Sequence, residues 1–184
     1  GCDPKKLNIM GCRTRVYDNV NGSVGTIGRG NIAYVSVNLP RIALISEGRP
    51  AFFRKLSQTM DICCRLLELR NQWMVETKGR YVEFVWKEGL WTGISGLEEL
   101  LKQGTYSIGF IGLAETVEIL TGQKLHQSEV SRVLAEEIVR YMQKFVQEQR
   151  ERTGRTVSLL ATPGEMISGR FCELDRALCP SPLQ

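Results

Sequence analysis

The strongest patterning in this chain is helical. From Pro50 to about Thr77, the residues Phe52, Phe53, Leu56, Met60, Cys63, Leu67 and Met74 recur at three- and four-residue spacings, which lays one apolar stripe along a long helix. A second stripe, Val130, Val133, Leu134, Ile138, Tyr141, Met142 and Phe145, predicts a helix from about Ser128 to Arg152, stopped by Gly154. Elsewhere the period is two. Asn31 to Leu39 alternates Ala33, Val35, Val37 and Leu39 with Tyr34, Ser36 and Asn38, a strand pattern that should end at Pro40, which has no N–H for a ladder. Thr156–Leu160 predicts a further strand.

The connecting segments are read from their breakers. Thr105–Phe110 is a short apolar segment expected to turn at Gly109 and Gly112 into a helix from Leu113 to Leu120, ended by Gly122. Ser95 to Leu101 reads as a short capped helix closed by Gly104, and Tyr81–Trp86 reads equally as strand or helix. Residues 17–30 hold four glycines and two asparagines and form a connection, not a dinucleotide fingerprint, because no strand leads in and no helix follows. After the last strand, Ala161–Met166 should turn into another helix, with Thr162 as N-cap and Pro163 at the first helical position. Strands separated by long helices imply parallel pairing and an α/β fold. Three or four strands are expected, which suits part of a barrel better than a closed sheet.

Composition narrows the class. At 184 residues the chain is of single-domain size and can bury roughly 70% of its unfolded surface. The 42% hydrophobic and 24% charged content is that of a globular protein and excludes disorder. The net charge of +4 and pI near 8.8 come from scattered basic residues, which falls short of a nucleic-acid patch and suits a phosphorylated small molecule. No apolar run approaches the roughly 18 residues of a membrane span and no charged-then-apolar leader opens the chain, so a cytoplasmic protein is expected. The six cysteines, Cys2, Cys12, Cys63, Cys64, Cys172 and Cys179, form no C-x-x-C pair, so neither a zinc site nor a thioredoxin-type motif is written here. Reduced thiols follow for such a protein, and Cys63 and Cys64 read as core residues of the long helix.

Two stretches can carry chemistry. Asn8-Ile9-Met10-Gly11-Cys12-Arg13-Thr14-Arg15 sets one cysteine behind a glycine in a short polar loop, where Gly11 permits a tight tip. Taken alone it reads more simply as a surface loop with an incidental cysteine. The turn at Thr162 precedes a helix whose free N–H groups and dipole attract phosphate, although most such helix starts are ordinary caps.

Read together, these stretches carry a resemblance. Met10–Val16, Gly28–Asn31, Asn38–Leu44, Tyr106–Glu115 and Leu159–Glu165 with Ser168–Phe171 resemble, in the same order, the central part of the anaerobic (class III) ribonucleoside-triphosphate reductases. The resemblance implies a glycyl-radical enzyme built on a ten-stranded α/β barrel. In it a finger loop, here about residues 7–16, carries a cysteine thiyl radical into the barrel. Cys12 matches that cysteine, which takes the 3′ hydrogen of the ribose, labilises the 2′-hydroxyl and returns the hydrogen after reduction. Asn31 matches an asparagine that contacts the ribose hydroxyls; its neutral amide orients a hydroxyl but cannot act as a base. Ala161, Thr162, Pro163, Gly164 and Glu165 match the segment that cradles the substrate phosphates, with Gly164 standing where alanine is commoner.

The resemblance also implies what lies elsewhere. The radical-bearing glycine and a four-cysteine zinc site do not occur after Phe171, and the N-terminal regulatory part and upstream strands are absent. Residues 1–184 are therefore expected to be a partial catalytic barrel domain, inactive alone and binding no cofactor of its own. The complete enzyme implies a glycyl radical installed by a radical SAM iron–sulfur activase, structural zinc, formate or a redoxin as reductant, a ribonucleoside triphosphate substrate and a homodimer. It implies no membrane and no specific nucleic-acid partner. Two other readings are a glycyl-radical enzyme of the pyruvate formate-lyase type, for the adjacent Cys63 and Cys64, and a non-catalytic basic α/β binding module.

Overall fold

The computed structural model describes residues 8–10, 14–16, 19–22, 29–77, 80, 84, 87–88 and 96–179. In chain order these form β1 (Asn8–Met10), β2 (Thr14–Val16), β3 (Asn31–Asn38), α1 (Leu39–Leu44), α2 (Gly48–Glu76), α3 (Leu97–Gln103), β4 (Thr105–Ile111), α4 (Leu113–Thr121), α5 (Glu129–Thr153), β5 (Thr156–Ala161) and α6 (Glu165–Leu178). β1 and β2 pair antiparallel, Ile9 opposite Arg15. β3, β4 and β5 form a parallel sheet in that order, Val35 opposite Ile108 and Ile108 opposite Leu159. The expected α/β class with parallel pairing is therefore observed.

Because the strand order follows the chain order, crossovers of one hand must place their helices on one side of the sheet. They do so: Ala33, Val37, Tyr106, Ile108 and Val157 on one sheet face share a core with Phe52, Leu56 and Met60 of α2 and Leu134, Ile138 and Met142 of α5. Alternation along the strands sends Ser36, Ser107, Gly109 and Ser158 to the other face. One face is apolar and covered by helices. The other carries Ser36, Ser107, Gly109 and Ser158, together with Tyr34 and Leu160.

Several element ends depart from the sequence reading. β3 stops at Asn38, whose Oδ1 accepts from the Arg41 N–H at 3.2 Å and caps α1, a short helix with Pro40 in its first turn that the alternating pattern conceals. β4 runs straight through Gly109, and the chain turns only at Gly112, where φ is 79°. Val130 and Val133 were expected on the core face of α5 but are 63% and 54% exposed. At 3.6 residues per turn they lie roughly 100° and 160° from the buried stripe through Ser131, Leu134, Ile138, Met142 and Gln149. Of Tyr81–Trp86 only residue 84 falls among the described residues, and Ser95 lies outside them; α3 begins after Gly96.

Candidate active site

The carboxyl ends of β4 and β5 open into a pocket lined by residues 110–112, residues 161–165 and Ser168. Such ends are where parallel α/β sheets expose backbone groups to ligands. The predicted cap differs from the observed one: α6 begins at Glu165, its N-cap is Gly164 at φ 80°, and no side chain caps it. Thr162 and Pro163 therefore precede the helix. The reason lies across the sheet, where the Thr162 hydroxyl pairs with Ser36 Oγ at 2.8 Å and its N–H donates to the Phe110 carbonyl at 3.1 Å. Thr162 prolongs the strand's bonding pattern, so the helix starts later.

That arrangement leaves a specific set of donors. The first intrahelical bond runs from the Ser168 N–H to the Gly164 carbonyl at 2.9 Å, so the N–H groups of residues 165–167 have no helical acceptor. They point out of a helix N-terminus beside the pocket, and the exposed Glu165 carboxylate stands in the same first turn. Gly109 makes the Thr162–Ser36 pair possible, because a Cβ there would strike the Thr162 hydroxyl. Below the pocket, Asp175 of α6 accepts from Asn38 Nδ2 at 2.9 Å and from Arg41 Nε at 2.6 Å. No residue of α6 is buried, so this charged cluster ties the helix to the end of β3.

Asn31 stands at the opposite end of the same polar face, at the start of β3. A register irregularity between Asn31 and Ala33 precedes the regular pairing, a device that re-aims a side chain. Asn31 Nδ2 donates to Ser107 Oγ at 2.6 Å, and Ser107 and Ser158 share a hydroxyl bond at 2.8 Å. The Asn31 backbone pairs with Thr105 but its amide reaches the level of Ser107, while Thr162 follows Ala161, the partner of Phe110. From the level of Ser107 to that of Ile111 is about 13 Å at the usual strand rise. Asn31 and the 161–165 segment share a face but cannot touch the same atom.

Cys12, with Gly11 and Arg13, lies outside the described residues, so the expected finger loop is visible only in its flanks. Those flanks, β1 and β2, pair with each other, and β2 lies against β3 with Val16 fully buried. Cys63 is buried mid-helix in α2 and Cys64 is half-buried beside it. Burial pushes each of these thiols up to about 11. Neutral thiols inside a helix suit packing, not radical or nucleophilic work. No group of three or more metal-binding side chains occurs among the described residues, and no helix among them is long and apolar enough to cross a membrane.

Sequence reasoning missed Ser36, Ser107 and Ser158. The signal was present: Thr105, Ser107 and Gly109 alternate with Tyr106, Ile108 and Phe110, and Thr156 and Ser158 alternate with Val157 and Leu159. A period of two with small polar residues on one face marks a strand facing something other than a helix.

Residues 2–181 match the family model described as anaerobic ribonucleoside-triphosphate reductase. The chain is 34% identical over 179 residues to the anaerobic ribonucleoside-triphosphate reductase of Salmonella typhimurium, covering 91% of this chain and 25% of that protein. It is 32% identical over 183 residues to the enzyme of the same name from Enterobacteria phage T4, covering 92% of this chain and 28% of that protein. The chain thus spans about a quarter of the length of the curated relatives it matches. In fold it resembles the crystal structure of the anaerobic ribonucleotide reductase from Thermotoga maritima with citrate in the active site, at a TM-score of 0.68 and 20% identity over 83% of this chain and 27% of that one.

Proposed function

Since the chain belongs to the anaerobic ribonucleoside-triphosphate reductase family, we propose that it forms the central part of a reductase's catalytic barrel and reduces ribonucleoside triphosphates to 2′-deoxyribonucleoside triphosphates within the complete protein. The observation that carries this reading is the polar sheet face, with Asn31 at one end and the N–H groups of residues 165–167 at the other. A span of about 13 Å along the strands suits the two ends of one nucleotide, ribose at Asn31 and phosphates at residues 161–165. The expected ten-stranded barrel completes the three parallel strands, with the polar face inside.

Cys12, which falls between β1 and β2 in sequence, is the proposed thiyl carrier. Its sulfur takes the hydrogen atom from C3′ of the ribose, and the 2′-hydroxyl then leaves as water with one added proton. Two electrons from formate or a redoxin, with a second proton, form the new C2′–H bond, formate leaving as carbon dioxide or the redoxin as its disulfide, and the sulfur returns its hydrogen atom to C3′. A glycyl radical outside this chain, installed by a radical SAM activase, supplies the initial oxidation. Asn31 is the proposed contact to the ribose hydroxyls. Residues 161–165 frame the proposed phosphate position, and the free N–H groups of residues 165–167 with the helix dipole are its donors. The structural zinc and the homodimer belong to the complete enzyme, whose compartment is proposed to be the cytoplasm.

The test is made on the complete protein, activated without oxygen. Ribonucleotide reduction should be abolished by Cys12→Ala while triphosphate binding is kept. Reduction that survives the alanine, or an activated native protein that binds nucleic acid and reduces nothing, would overturn the proposal.

A further inference from the structure

A strand buried in a protein interior gains most from β-branched apolar side chains, yet β4 and β5 bury two serine hydroxyls where they face each other. Ser107 is 1% exposed and Ser158 is 6% exposed. Buried hydroxyls are tolerated when bonded, and these two bond to each other at 2.8 Å. The pair does not end there: Ser107 Oγ also accepts from Asn31 Nδ2 at 2.6 Å, across to the third strand. The register irregularity at the start of β3 brings the Asn31 side chain into reach of Ser107, which pairs in the sheet with Tyr34. The result is a three-strand ladder, Asn31 to Ser107 to Ser158, with its buried end away from the candidate ribose position.

A primary amide has a donor end and an acceptor end, and a neighbour that accepts from the nitrogen decides which end faces the other way. Ser107 Oγ accepts from the Asn31 amide nitrogen, and the Ser107 and Ser158 hydroxyls share a bond in which either can donate. The Asn31 carbonyl oxygen is left uncommitted among the described residues. We infer that Ser107, backed by Ser158, is a positioning residue that turns the Asn31 amide so that its carbonyl oxygen accepts a hydrogen bond from a ribose hydroxyl of the substrate. The inference rests on the proposed function for the identity of the ligand, but the ladder itself does not.

The test uses the complete protein, native and with Ser107→Ala, Ser158→Ala, Asn31→Ala and the Asn31→Ala, Ser107→Ala pair. Ser107→Ala, which keeps the strand and nearly the volume, should lower kcat/KM about 5- to 10-fold, the worth of roughly one hydrogen bond. Ser158→Ala should act more weakly. In the Asn31→Ala background the loss of Ser107 should cost less than about twofold, because the two act as one unit. Independently of turnover, the side-chain NH2 resonance of Asn31, observed with 15N-asparagine labelling and assigned by its absence in Asn31→Ala, should shift on Ser107→Ala. Additive kinetic losses, or an Asn31 resonance that Ser107→Ala leaves in place, would overturn the inference. A native protein that reduces no ribonucleotide overturns the proposed function instead, and the resonance then decides the ladder alone.

Discussion

Gly109→Ala would probe how the carboxyl end of the sheet is shaped. Inside a strand, glycine is ordinarily worth about 0.5–1 kcal/mol less than alanine, so in an open site the substitution would stabilise. Here the new Cβ would collide with the Thr162 hydroxyl and stand 3.0 Å from Ser36 Oγ. Thr162 does not yield cheaply, because a β-branched side chain is stiff at χ1 and its N–H is held to the Phe110 carbonyl at 3.1 Å. Overpacking of this kind costs about 1–3 kcal/mol, and the lost hydroxyl pair adds about 1 kcal/mol. Less the propensity gain, the net destabilisation is about 1–3 kcal/mol.

Amide hydrogen exchange of the complete protein, read by mass spectrometry on peptides covering residues 156–164, measures the effect where it arises. A loss of about 2 kcal/mol speeds local exchange roughly 30-fold. The phosphate contacts proposed for residues 161–165 should loosen in parallel, visible as weaker triphosphate binding. Unchanged or slower exchange in these peptides, or a raised unfolding temperature, would refute the close-approach reasoning. Glycine would then be incidental at this position.

Three further outcomes follow from other contacts and from thiol burial. Asp175→Ala should release α6, since Asn38 and Arg41 hold it through that carboxylate and no α6 residue is buried; a loss of about 1–2 kcal/mol is expected, with faster exchange confined to residues 165–178, and unchanged protection there would contradict it. Iodoacetamide at pH 8 should modify exposed Cys172 and spare Cys63 and Cys64, whose thiols burial raises from 9.0 to about 11. The same shift makes stability full below pH 9 and declining toward pH 11, because the unfolded chain releases these protons first. Fast labelling of the pair at pH 8 in native protein would count against their burial and revive a chemical role for them.

The long helices were legible because burial on one side imposes a 3.6-residue period that needs no partner to be recognised. Phe52, Leu56, Met60, Cys63 and Leu67 mark α2 in the bare sequence and all five are buried. The α/β class and the parallel pairing followed from the alternation of such helices with short strands. The blocks that carry the family resemblance, from Met10 to Phe171, were equally legible, because they are local strings. Among the candidate site residues, Asn31 and the 161–165 segment could be named from these strings alone.

Distances between strands were not legible. Nothing local to Thr162 says that its hydroxyl meets Ser36, 126 positions earlier, across a glycine in a third strand. That contact delays the start of α6 and makes Gly164, not Thr162, its cap. Likewise Ser107 and Ser158 are unremarkable residues until sheet register brings them beside Asn31. Sequence periodicity reports which face of an element is buried, since that preference is set residue by residue by transfer from water. Which polar atoms meet on the opposite face depends on register and strand order, and those exist only once the chain has folded.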